Sequence, residues 1–145
     1  MTQIAFHFNA PDKLAYVCRF VRKALRHDAQ VTVLAPASVL AHLSARLWKS
    51  ASTDFLAHAV EGAHMDPHVL QCSPVALLQE ATASPHRDVL LNLGEAVPQG
   101  FDAFARVVEV VSLDDMDRAL ARERWRTYSA QGFAIERHDL VLKGN

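Results

Sequence analysis

The chain has 145 residues, half of them hydrophobic and 21% charged, a balance that fits one soluble domain spanning residues 1–145 with a core of useful size. A formal net charge of −1 excludes a surface built as a whole to coat nucleic acid, so any electrostatic recognition has to be local. No apolar run approaches the ~20 residues of a membrane helix, and the N-terminus has neither the basic nor the apolar region of a signal peptide; a cytoplasmic location without membrane contact is expected.

Residues 4–8 form a short apolar run with aromatics, a first strand. The turn Asn9-Ala10-Pro11-Asp12 that follows can cap a helix. Leu14, Val17, Cys18, Val21, Ala24 and Leu25 then recur at helical spacing. Lys13, Arg19, Arg22, Lys23 and Arg26 fill the other face of that helix and read as solvation. Residues 31–34 make a second strand. Pro36 opens a second helix, which carries Val39, Leu40, Leu43 and Leu47 and ends near Trp48. The span 49–85 is irregular and contains three prolines. A short strand around 69–72 and a short helix around 75–81 are expected within it. Residues 89–93 form a strand apolar on both faces, as central parallel strands are. Gly94 and Pro98-Gln99-Gly100 break the chain before another strand at 107–111. Ser112 with Asp115 resembles a capping box at the start of the last long helix, and Gly132 stops that helix in the C′ role. A final strand is expected around 140–142. Strands alternating with helices imply the α/β class, with a mostly parallel central sheet and helices on both faces.

Such an architecture invites a nucleotide-binding reading, but the phosphate-binding loop is missing. No glycine precedes Gly62, so the turn after the first strand holds neither GxGxxG nor GxxxxGK[ST]. Those motifs need glycine so that backbone N–H groups can approach phosphate. There is no GxSxG nucleophile elbow and no carboxylate pair that stands apart. Cys18 and Cys72 form no CxxC pair and read as buried thiols. His58, His64, His68 and Cys72 fall within fifteen residues, but Pro67 interrupts them and their spacing matches no standard zinc site. No metal, no cofactor and no catalytic residue is expected.

Two constellations remain. On the last helix, at about 100° per residue, Leu113, Met116, Leu120 and Thr127 cluster as the expected core face, with Tyr128 at its margin. Arg118, Arg122, Trp125 and Ser129 cluster on nearly the opposite side, with Arg126 at the edge. Acids at the start of this helix and arginines toward its end suit the helix dipole. Arg122 pairing with acids of its own helix would account for charge order too, but neither accounts for the tryptophan. Guanidinium groups make forked bonds to carboxylates and stack on aromatic rings. The set suits a short acidic peptide with an apolar end. The second constellation is Leu47-Trp48 with Phe55, then His58 and Gly62. Its aromatics read equally as core anchors under a loop or as an exposed patch for a protein partner.

The chain resembles the chi subunit of bacterial DNA polymerase III, an accessory of the clamp loader. The resemblance rests on Val107-Val108-Glu109, the run from Ala121 through Arg126, Tyr128, Gly132-Phe133, the strand Arg87-Asp88-Val89-Leu90-Leu91, and Leu47-Trp48 with Phe55 and His58. It implies an α/β fold like that of nucleotide-binding domains but without their chemistry. It also implies a non-catalytic adaptor in DNA replication. The implied partners are the psi subunit of the clamp loader and the acidic C-terminal tail of the single-stranded-DNA-binding protein. In some members a repair helicase takes the place of psi, and DNA is met only indirectly. The tail-binding positions carry over to Val111, Arg118, Arg122, Trp125 and Arg126, and the psi patch to Trp48 and Phe55. The family usually has tyrosine at Trp125, lysine at Arg126 and proline at Ala57. Two alternatives stand beside this reading: a small flavodoxin-like nucleotide-binding protein or enzyme of unknown substrate, and a direct nucleic-acid binder using the basic face of the first helix.

Overall fold

The computed structural model describes residues 2–27, 29–50, 58–60, 75–79 and 87–140. Among these residues seven strands and three α-helices follow in the order β1 (Gln3–Ala10), α1 (Lys13–Arg26), β2 (Val31–Leu34), α2 (Ala37–Ser50), β3 (His58–Val60), β4 (Val75–Leu78), β5 (Val89–Asn92), β6 (Arg106–Ser112), α3 (Asp115–Ala130) and β7 (Ile135–Asp139). A 3-10 turn at Phe101–Ala103 leads into β6. The strands form one sheet in the order β3-β4-β2-β5-β6-β1-β7, and every pairing is parallel.

Period-2 alternation divides the core between two faces. Val31, Val33, Val75, Leu77, Val89, Leu91, Val108 and Val110 point toward α1 and α2, where Val17, Val21, Leu40 and Leu43 meet them. Ile4, Phe6, Leu34, Leu78, Leu90, Val107 and Val111 point to the other face, covered by Ala121 and Tyr128 of α3. Helices on both faces of a parallel sheet are what the alternating elements imply. Parallel strands buried on both faces read as continuous apolar runs, as β2, β4 and β5 do.

The helix expected around 75–81 is not found in the part of that span the structure describes, residues 75–79. Residues 75–78 are strand β4, all four buried and paired with β2 in the register Val31↔Val75. A four-residue apolar run cannot be told from a buried helix by periodicity, and length arbitrates for the strand. The expected strand at 69–72 lies outside the described residues. The last strand among the described residues is Ile135–Asp139, ahead of the expected span 140–142, and it pairs with β1 at the sheet edge. Its sequence, IERHD, is polar enough to escape a search for apolar runs. Leu140 is buried just beyond it, and residues 141 and 142 lie outside the described residues. β3 was not foreseen; it places His58 in a strand rather than a loop.

Both ends of α3 are capped. Asp114, not Ser112, is the N-cap, and its carboxylate accepts from the Asp117 N–H at 3.1 Å. Ser112 stands two residues before, where its Oγ accepts from Asp114 N–H and its own N–H donates to Asp117 at 2.8 Å. At the far end Gly132 has φ 88, a conformation that favours glycine. Its N–H reaches the Ser129 carbonyl, and the Phe133 N–H reaches the Tyr128 carbonyl, the paired bonds of a Schellman stop.

Candidate peptide-binding site

The position of α3 is set by a buried polar network. Glu109 on β6 is wholly buried beneath the helix, and Arg124 is 2% exposed. The Arg124 Nε–H donates to Glu109 Oε1 at 2.8 Å, and the Tyr128 hydroxyl donates to Oε2 at 2.6 Å. The Asn92 amide, from β5, donates to both oxygens at 3.1 and 2.9 Å, and Arg124 Nη1 donates to the Glu95 carbonyl. Burial pushes the Glu109 carboxyl up, and the Arg124 charge with the Asn92 and Tyr128 bonds works against it. Burial and the neighbouring carboxylate push the Tyr128 phenol up, so it remains a donor.

This network decides which face of α3 is buried, and it corrects the expected core stripe. The buried residues are Ala121, Arg124 and Tyr128. Leu113 and Met116, expected in the core, are 50% and 72% exposed, and Thr127 is exposed as well. A stripe drawn through apolar residues alone misses a helix that seats an arginine and a tyrosine on a buried glutamate. With the stripe moved, Trp125 is not opposite the core. At about 100° per residue it lies only about 40° round from Ala121, with Arg118 and Arg122 about 60° and 100° round. The indole therefore sits on the shoulder of the helix, half-buried, with guanidinium groups beyond it.

That shoulder forms one wall of a cleft of about 510 Å³. All five positions expected for the tail site line it: Val111, Arg118, Arg122, Trp125 and Arg126. The indole packs on Phe6 of β1 with ring centroids 5.0 Å apart. Phe8, two residues on along the same strand, extends the apolar floor, and Val111 closes it from the end of β6. The cleft thus lies toward the carboxyl ends of β1 and β6, the side on which parallel α/β sheets generally bind ligands.

The cations differ in availability. Arg126 is ion-paired with Glu123 one turn before it, both exposed. Among the described residues Arg118 and Arg122 form no ion pair, so the pairing of Arg122 within its own helix does not occur there. Asp117 is occupied by Lys13 of α1 at 3.2 Å. Burial would raise the Asp117 carboxyl, but the Ser112 N–H and the Lys13 ammonium outweigh it and hold it below the ordinary carboxylate value. Lys13 is therefore a link between α1 and α3, whereas Arg19, Lys23 and Arg26 are exposed as the solvation reading expects.

Four cleft residues were not expected there from the sequence: Ala121, beside Trp125 on α3, and Phe6, Phe8 and Arg137 from the sheet. Phe6 and Phe8 carry the period-2 signal of a shared strand face, which could have found them. Arg137, on β7, has no local signal. It enters because β7 pairs with β1 in the register Phe6↔Arg137.

The profile of the family described as DNA polymerase III chi subunit, HolC, matches residues 1–136. The chain belongs to the DNA polymerase III chi subunit family. A protein named DNA polymerase III subunit chi from Pseudomonas aeruginosa is 31% identical over 145 residues, covering 97% of this chain and 98% of its own. The protein of the same name from Escherichia coli K12 is 28% identical over 120 residues, covering 82% and 80%. That of Haemophilus influenzae is 28% identical over 91 residues, 62% of this chain and 60% of its own.

The second expected patch is less fully placed. The backbone of Trp48 falls in the last turn of α2, and its side chain is outside what the structure describes. Phe55 lies outside the described residues, as do His64, His68 and Cys72. Cys18 is buried and free, and burial raises its thiol. No group of three or more potential metal ligands occurs among the described residues.

Proposed function

We propose that this chi-family protein is a non-catalytic adaptor in DNA replication, joining the clamp loader of DNA polymerase III to the acidic C-terminal tail of the single-stranded-DNA-binding protein. The observation that carries the reading is the half-buried indole of Trp125 between an apolar floor and two arginines with no ion pair among the described residues. In this reading the Phe6, Phe8, Val111 and Trp125 surfaces take the last apolar side chain of the tail. Arg118 and Arg122 hold its carboxylates through charge-assisted bonds, each adding about 1.5–3 kcal/mol when well formed. Arg126 contributes less, because Glu123 competes for it.

The resemblance of Trp48 and Phe55 to the family's psi patch supports a separate clamp-loader contact, with a repair helicase as its other occupant in some members. Two contacts on one molecule raise the local concentration of the clamp loader beside coated single strands. The protein works without cofactor, in the cytoplasm, and meets DNA through its partners.

Calorimetric titration with a synthetic tail peptide tests the tail site. Arg122→Ala is expected to weaken the peptide by at least about tenfold and to leave the thermal transition in place. Unchanged affinity would remove the tail assignment. Trp48→Ala is expected to weaken psi and spare the tail peptide; the reverse pattern would exchange the two sites.

A further inference from the structure

Among the described residues, Arg137 is the one cation in the cleft wall that does not belong to α3. β7 delivers it to the sheet edge beside Phe6, on the face that α3 covers. Its guanidinium carbon lies 5.0 Å from the Phe8 ring centroid and 6.0 Å from that of Trp125. The two rings hold it above the apolar floor, and among the described residues it forms no ion pair. The cleft is therefore charged on two sides. Arg118 and Arg122 stand one helical turn apart along α3, and Arg137 faces them from β7.

A peptide end with only one carboxylate needs one of these walls. A chain with further acids before its end can use both. Successive side chains of an extended peptide point to opposite sides, at a rise of about 3.3 Å per residue. An apolar terminal side chain seated on Phe6 and Trp125 then leaves earlier acidic side chains to be divided between the walls.

We propose that Arg137 is a specificity-determining residue of the tail site, reading the acidic side chains upstream of the peptide's end while the α3 arginines hold the terminal carboxylate. This rests on the tail-binding reading above. A guanidinium already resting over the Phe8 ring and beside the Trp125 ring is partly pre-ordered for that role, so less side-chain freedom is lost on binding.

The test is a double-mutant cycle with synthetic peptides, read by calorimetry and by Trp125 fluorescence in a Trp48→Phe background. The parent peptide carries three aspartates ahead of an apolar C-terminal residue with a free carboxylate. One variant has the aspartates changed to asparagine, and another has a C-terminal amide. Arg137→Ala is expected to weaken the parent peptide about tenfold. The loss should persist with the amide peptide and largely vanish with the asparagine peptide. Arg122→Ala should show the opposite coupling. Arg137→Lys, which keeps charge without the planar stack, should recover part of the affinity. If Arg137→Ala binds the parent peptide as wild type does while Arg122→Ala fails to, Arg137 has no such role and the tail site stands. If the Arg137→Ala loss is the same for all three peptides, the residue does not read the upstream acids. If neither substitution changes binding, the tail reading itself falls.

Discussion

Removing Arg124 should expose how strongly α3 depends on the buried carboxylate beneath it. Glu109 is wholly buried, and Arg124, 2% exposed, is the cation that faces it at 2.8 Å. Arg124→Ala leaves Asn92 and Tyr128 as donors but strips away the opposite charge. Breaking a buried pair from one side costs about 3–5 kcal/mol. For a chain near this size each kcal/mol lowers Tm by about 2–4 °C, so a drop of about 6–20 °C is expected. The cost also depends on pH. Burial already pushes Glu109 upward, and loss of Arg124 removes its largest opposing charge. A folded-state value raised above the unfolded one, about 4.3 for glutamate, contributes stability that is lost as pH rises through the folded value. The deficit of the variant should thus be large at pH 7.5 and smaller near pH 4.5, where the buried carboxyl takes up a proton. Calorimetric melting of both proteins at the two pH values measures this. A Tm within about 2 °C of wild type at pH 7.5, or a deficit indifferent to pH, would refute the view that the pair organises the helix.

Other outcomes follow from the same contacts. Asp117→Asn should destabilise the protein at pH 7 by loosening Lys13 and Ser112. Because the folded Asp117 value is depressed, that stabilisation is lost as pH falls through it: the two melting curves should begin to approach one another below about pH 4, near the unfolded aspartate value, and meet only below the folded one. Gly132→Ala meets no atom within 4 Å, so its cost is the left-handed backbone alone, about 1–2 kcal/mol in urea unfolding. Arg126→Ala should weaken a tail peptide less than Arg122→Ala, since Glu123 already holds Arg126; equal losses in calorimetry would contradict that ranking.

The α/β class and most strands were legible because continuous apolar runs and helical spacing are local signals. β2 and β5 lie where their runs predict, and the Gly132 stop needs only its own neighbourhood. The failures share a cause, which is burial decided by distant partners. The core face of α3 was misread because Arg124 and Tyr128 are buried by Glu109, fifteen and nineteen residues away. β7 is not legible in the sequence because an edge strand with a polar face carries little apolar pattern. Arg137 could not be assigned without the β1–β7 register. Of the five positions expected for a tail site, Arg118, Arg122, Trp125 and Arg126 are legible as one helix surface, whereas Val111 enters only with the family resemblance. The cleft brings all five to one place.

The measurement closest to the central claim uses the whole partner. The chain is titrated with the cognate single-stranded-DNA-binding protein, intact and with its acidic tail removed, at low and at moderate salt. The intact partner should bind, weaken as salt screens the arginines, and lose binding when the tail is gone. Equal affinity for both forms would contradict an adaptor that works through the Trp125 cleft.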